Sequence, residues 1–238
     1  MQLLVIFLAS FLRERYYFIM KIFLDTANTE LIQKWAHTGL IDGVTTNPTH
    51  LSKEGKDPVE QILAICDILP SGIISVEIVE TKPENVYLQA RKIASLCDNI
   101  VIKIPCHEDY YSVIKQLVNE GFLVNITLVF SLVQGLMMAK LGAHYISPFI
   151  GRLDDIDQDG IELVKQLRHM IDWYDFDIEL LAASIRDTAH LEQVIMAGAD
   201  IATVPAAVFE NSLTHPLTDK GMAQFLTDWK KLNILHFP

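Results

Sequence analysis

From Met20 onward, short runs rich in Ile, Val and Phe alternate with longer stretches whose apolar residues recur at helical spacing, and this continues to the end of the chain. Such alternation predicts a parallel α/β fold. The first strand falls at residues 21–25, followed by a helix at about 28–37 that Gly39 ends, and the second strand is GVTT at 43–46. Asp57-Pro58-Val59-Glu60 reads as the start of the next helix, because an N-cap acid, a proline at the first helical position and an acid at the third suit the free amides there. Thr81-Lys82-Pro83-Glu84 repeats the signal after a third strand at 73–79. Strands four to eight are expected at 100–105, 122–128, 144–148, 178–184 and 200–205. The remaining helices are expected at about 108–119, 131–141, 161–173, 188–196, 206–211 and 219–231.

Eight strands, each followed by a helix, in about 220 residues predict a (β/α)8 TIM barrel, whose usual size is about 250 residues. An open doubly wound sheet is the alternative. It is disfavoured because no G-x-G-x-x-G follows the first strand and no G-x-x-x-x-G-K-[ST] occurs. No low-complexity stretch or linker interrupts residues 20–238, so one barrel domain with a C-terminal helix is expected there. Residues 3–12 are apolar, but ten residues fall short of the roughly 20 that span a bilayer. They lack a positive n-region before them and an A-x-A-like cleavage site after them. Residues 1–19 are therefore read as an appended helix or an upstream start, outside the barrel.

The chain has 238 residues, half of them hydrophobic, enough for a substantial core. Its formal charge of -11, from 19 Lys and Arg against 30 Asp and Glu, opposes nucleic-acid binding, which needs a basic surface. An anionic substrate would be held by a few placed cations. Three cysteines without C-x-x-C spacing suggest no disulfide framework and favour a reducing cytoplasm. The eight histidines form no H-x-x-x-H or H-E-x-x-H pair, so a metal site has little support.

In a barrel, the carboxyl ends of the strands share one mouth, and polar residues there are candidates for chemistry. Seven of the eight predicted strands carry one: Asp25; Thr45, Thr46 and Asn47; Glu77; Lys103; Asn125 and Thr127; Ser147; and Ser184. A strand-terminal Asp or Asn is more often a turn or N-cap residue, and the hydroxyls readily bond backbone. Glu77 and Lys103 differ, since both lie within apolar runs where an unpaired charge is expensive. One reading is a structural ion pair between neighbouring strands. The other is catalytic: desolvation disfavours an ammonium, and a free amine attacks a carbonyl to form a Schiff base. Arg152 and Arg186, just beyond strands six and seven, suit a terminal phosphate because guanidinium offers paired donors.

The segments FLDTAN (23–28), DGVTTNPT (42–49), SVEIV (75–79), IVIKIP (100–105), NITLVFS (125–131), ISPFIGR (146–152) and LAASIR (181–186) together resemble the small, single-barrel transaldolases and their relatives the fructose-6-phosphate aldolases. The resemblance implies a Schiff-base mechanism on Lys103 without metal or organic cofactor. Asp25 would take the C4 hydroxyl proton, and Glu77 and Thr127 would hold the water used in proton transfer. Thr45, Asn47, Asn125 and Ser147 would bind sugar hydroxyls or order the lysine, while Arg152, Ser184 and Arg186 would grip the phosphate. Glu77, Asn125 and Phe149 match the transaldolase branch; the aldolase branch carries Gln in place of Glu77 and Tyr in place of Phe149. The implied reaction moves a dihydroxyacetone unit from sedoheptulose 7-phosphate to glyceraldehyde 3-phosphate, giving erythrose 4-phosphate and fructose 6-phosphate in the pentose phosphate pathway. An aldolase releasing free dihydroxyacetone and a non-catalytic phosphosugar-binding barrel remain as alternatives. Small members of the family form homo-oligomeric rings, decamers included, and Met222, Phe225, Leu226 and Trp229 have the spacing for such packing or for closing the barrel end within one chain.

Overall fold

The computed structural model describes residues 19–232. Eight strands close a barrel in sequence order, each parallel to its neighbours: β1 (Lys21–Asp25), β2 (Gly43–Thr45), β3 (Ile73–Glu77), β4 (Ile100–Pro105), β5 (Val124–Val129), β6 (Tyr145–Pro148), β7 (Glu179–Ala182) and β8 (Ile201–Val204). Between and after them lie α1 (Thr29–Ala36), α2 (Pro48–Glu54), α3 (Pro58–Ile68), α4 (Pro83–Ala94), α5 (Tyr111–Asn119), α6 (Leu132–Leu141), α7 (Ile150–Asp154), α8 (Gly160–Trp173), α9 (Thr188–Ala197), α10 (Ala206–Ser212) and α11 (Pro216–Lys230). The predicted TIM barrel is the observed fold.

Side chains alternate across each strand, and the alternation separates two cores. Leu24, Val44, Ile74, Val76, Ile102, Ile104, Ile126 and Ile146 face the helices in the larger one. Phe23, Val101, Tyr145, Leu181 and Ile201 fill the interior of the barrel. Gly43 leaves room for that filling, since a Cβ there would lie 2.5 Å from the Ile73 carbonyl oxygen and 2.8 Å from the Phe23 ring. Above this apolar plug, four of the five next residues of the same parity are polar, Asp25, Lys103, Ser147 and Thr203, the exception being Ala183, and this level is the mouth.

Several boundaries differ from expectation. Strand β3 stops at Glu77 and β7 at Ala182, and α2 and α7 occupy segments read as loop. Helix α2 starts as α3 does, with an N-cap (Asn47) and proline at the first position, and Gly55 at φ +64 ends it. Asp57 caps α3 through the amides of Val59 and Glu60 as predicted, but α4 is preceded by Lys82 with no side-chain cap, so Thr81 does not do what Asp57 does. Cys66, in α3, and Cys97, just after α4, form a disulfide, against the expectation of none, and Cys106 is the free thiol. The predicted extension at 1–19, apart from Ile19, and the apolar end at 233–238 lie outside the described residues.

Candidate active site

Parallel register sets Glu77 of β3 beside Lys103 of β4, and Lys103 beside Asn125 of β5. Register partners on adjacent parallel strands point to the same side of the sheet, and here the two charges that looked costly in their strands meet and solve each other's burial. Lys103 Nζ lies 3.1 Å from Glu77 Oε2 and donates to the Thr46 carbonyl oxygen at 3.2 Å. The lysine side chain is 5% exposed. Desolvation is thus not the only influence on the amine: an anion and a carbonyl face it.

Asp25, at the end of β1, lines the same cavity as Lys103, a space of about 200 Å³. Thr45 Oγ1 donates to Asp25 Oδ1 at 3.0 Å and shares a hydrogen bond of 2.5 Å with Thr203 Oγ1. His50 Nε2 stands 3.3 Å from the same Oδ1. Burial opposes ionisation of Asp25, but the His50 imidazole, the Lys103 ammonium and the Thr45 hydroxyl outweigh it and hold the carboxyl below its usual range. Asp25 is therefore a carboxylate at neutral pH.

Asn47 has the role that strand-terminal asparagines usually have: its Oδ1 accepts from the His50 amide at 2.9 Å and caps α2. It also lines the cavity, where its amide nitrogen is the group it offers to a ligand. Asn125 and Ser147 do not line that cavity. They form a buried chain in which Ser147 Oγ donates to Asn125 Oδ1 at 2.7 Å and Asn125 Nδ2 donates to Ser75 Oγ at 3.0 Å. This chain stiffens the wall beside Lys103. Thr127 Oγ1 is fully buried with no hydrogen-bond partner among the described residues. A buried hydroxyl of this kind calls for water or ligand. Strand β5 shifts register between Ile126 and Val129, and Leu128 takes φ +58, so the backbone is bent where Thr127 projects.

Phe149, Arg152, Ser184 and Arg186, from the segments after β6 and β7, line the same cavity. Arg152, on α7, stacks its guanidinium 5.1 Å from the Phe149 ring centroid. Arg186 Nη2 contacts Asp155 Oδ2 at 2.5 Å, so this cation is paired with an exposed acid that an anionic ligand would have to displace or share. Ser184 adopts φ +65, a conformation that side chains other than glycine's enter at a cost. Gly151 lets α7 come this close: a Cβ there would lie 2.4 Å from the Ser184 carbonyl oxygen and 2.5 Å from Arg186 Nε.

Seven of the twelve predicted site residues, Asp25, Asn47, Lys103, Phe149, Arg152, Ser184 and Arg186, thus share one cavity. Glu77 and Thr45 touch members of that group directly. Three polar neighbours were not anticipated. Thr203 gives the eighth strand its polar residue, and it too lies near the carboxyl end of its strand, within the expected span 200–205. Ser75 lies two residues before Glu77 and so on its face. His50 carried no signal beyond its nearness to Asn47.

A closed parallel barrel with a lysine buried against a carboxylate at its mouth is of the aldolase type. The profile of the transaldolase/fructose-6-phosphate aldolase family matches residues 22–235, and the chain belongs to that family. A protein of Lactiplantibacillus plantarum named "Probable transaldolase" is 54% identical over 211 residues, covering 89% of this chain and 97% of the relative. Another of that name from Parabacteroides distasonis is 48% identical over 218 residues, covering 90% and 100%. Among solved structures, one described as "Native KDPGal structure" aligns with TM-score 0.56 at 20% identity, over 79% of this chain and 83% of that one. Rhizobium etli pyruvate carboxylase aligns with TM-score 0.57 at 12% identity, over 78% and 21%. At such identities these two are likenesses of fold.

Proposed function

We propose that the protein is a transaldolase that moves a dihydroxyacetone unit from sedoheptulose 7-phosphate to glyceraldehyde 3-phosphate through a Schiff base on Lys103, in the pentose phosphate pathway. The observation that carries this reading is that the Lys103 amine, the Asp25 carboxylate and the cations Arg152 and Arg186 line one small cavity. The amine attacks the ketone, and Glu77 takes and returns the protons as water leaves and the iminium forms. Thr127, otherwise unpartnered, holds that water with Glu77. Asp25 removes the C4 hydroxyl proton, the C3–C4 bond breaks, and the electron pair passes into the iminium, which serves as the sink. An aldose phosphate departs, and the enamine on Lys103 waits for the acceptor aldehyde.

Arg152, Ser184 and Arg186 hold the phosphate, while Thr45, Asn47, Asn125 and Ser147 bind sugar hydroxyls or order the lysine. Phe149 supports transfer over release of free dihydroxyacetone. It lines the cavity without a hydroxyl that could protonate the enamine, which then lasts long enough to meet an acceptor. Borohydride reduction in the presence of fructose 6-phosphate, read by peptide mass spectrometry, tests the Schiff base. No adduct on the Lys103 peptide sinks the reading. Rapid release of dihydroxyacetone without an acceptor favours the aldolase alternative instead.

A homo-oligomeric ring accompanies this proposal. Among the described residues, helix α11 buries none of its own, and Phe225 is 75% exposed beside Met222 and Leu226, which leaves an apolar stripe that a neighbouring subunit could cover. Sedimentation at micromolar protein concentration reads the state. No helix among the described residues is long and apolar enough to cross a membrane. We place the enzyme in the cytoplasm, where the Cys66–Cys97 bond would be an exception to the usual reduced state.

A further inference from the structure

His50 stands against the proposed reacting centre with no part in the mechanism above. It is the third residue of α2, and the Asn47 side chain that caps this helix accepts from the amide of His50 itself. The ring is therefore carried on an anchored, proline-started turn at the barrel mouth. Its side chain is 23% exposed, about as much as that of Asp25 at 21%, so neither group is a freely moving surface residue. Glu54, the acid on the same helix, is engaged by Asn28 at 3.3 Å, whereas the imidazole approaches Asp25.

Both partners of the Asp25 carboxylate, His50 Nε2 and Thr45 Oγ1, fall on Oδ1. An oxygen that already receives two donors is a poorer proton acceptor than the oxygen beside it. A carboxylate fixed at one oxygen also cannot rotate away from its target, and orientation of this kind is a large part of catalytic rate. Resting on the reading of Asp25 as the base in aldol cleavage, we propose that His50 is a positioning residue: its Nε2 holds Oδ1 and presents Oδ2 to the C4 hydroxyl of the bound ketose. In that step Oδ2 gains the hydroxyl proton and the C3–C4 bond breaks. The electron pair enters the iminium on Lys103, and the aldose phosphate leaves as its aldehyde.

The test uses the full-length protein and two variants. His50→Leu removes the ring nitrogens at similar bulk, and His50→Gln restores an N–H near the place of Nε2. Each is compared with wild type by borohydride trapping with fructose 6-phosphate, which reports imine formation, and by single-turnover release of glyceraldehyde 3-phosphate, which reports C3–C4 cleavage. The expected result is wild-type trapping in His50→Leu, cleavage slowed about tenfold with KM unchanged, and most of that loss recovered in His50→Gln. Wild-type cleavage in His50→Leu overturns the inference. So does a parallel fall in trapping and cleavage, which marks a general structural role, and so does a glutamine variant no faster than the leucine one. Failure to trap the wild-type protein overturns the Schiff-base reading and this inference with it, whereas trapping with unaltered cleavage in His50→Leu overturns this inference alone.

Discussion

Replacing Lys103 by Met separates the structural from the chemical part of the buried pair. Met matches the length of the lysine stem, so packing against the strand is kept while the ammonium is lost. Glu77 then stands without the partner that lay 3.1 Å away, and the Thr46 carbonyl loses its donor. Removing one member of a fully buried ion pair costs about 3–5 kcal/mol, because the other charge is left desolvated. Glu77 keeps 14% of its side-chain surface in solvent, so part of that penalty is relieved by hydration. A loss of about 2 kcal/mol at pH 7 is expected, or about 4–8 °C in melting temperature for a protein of this size. Adding Glu77→Gln removes the stranded charge and should restore more than half of the loss. Circular dichroism during thermal and urea unfolding measures both variants, and a coupled transfer assay should find neither active. A Lys103→Met protein as stable as wild type, or a double variant no more stable than the single one, would refute the pairing argument. Retained transfer would refute the Schiff base.

Four further outcomes are expected. Ser184→Gly relieves a left-handed backbone that costs about 1–2 kcal/mol and adds chain entropy to the unfolded state, so stability should rise by up to about 1 kcal/mol in urea unfolding while KM for sugar phosphates rises with loss of the hydroxyl. Gly151→Ala drives a methyl group against Ser184 and Arg186, and should raise KM more than it lowers kcat. Native protein prepared without reductant should expose one thiol in place of three. That thiol, Cys106, is pushed up to about 11 by burial despite a hydrogen bond with Tyr111, so iodoacetamide at pH 8 should label it slowly; reduction of the Cys66–Cys97 bond, which closes a loop of 31 residues, should cost up to about 3–4 kcal/mol. Finally, Asp25 ionises below its usual value of 3.8, so its ionisation adds stability that is present above that pH and lost as pH falls through the folded value. The stability difference between wild type and Asp25→Asn should therefore shrink on acidification below about pH 4, read by urea unfolding across pH.

The barrel was legible because β-branched runs and helical spacing differ in period, and eight such pairs in succession leave few topologies. The expected ends of the third and seventh strands, Val79 and Ser184, lie two residues past the observed ends because buried apolar residues, Ile78 and Ala183, continue the pattern there. Helix α2 carries in Asn47-Pro48 the same start cue as Asp57-Pro58, but its seven residues are too few to show a helical period in the sequence. The Cys66–Cys97 bond could not be read at all, since 31 residues separate the partners and only the packing of α3 beside α4 brings them together.

From the sequence alone came the alternation of elements, the polar residues that interrupt otherwise apolar strands, and the identity of Lys103 as the residue most at odds with its surroundings. Which side of each strand faces the barrel interior was not written there, because strands covered on both faces are apolar on both and lose their two-residue period. The closed parallel register decided it. By placing Glu77 opposite Lys103, Thr203 over Thr45, and α2 where His50 meets Asp25, it turned isolated polar residues into pairs. Contacts between residues far apart in the chain depend on how strands align across the barrel, and that alignment is a property of the whole packed sheet.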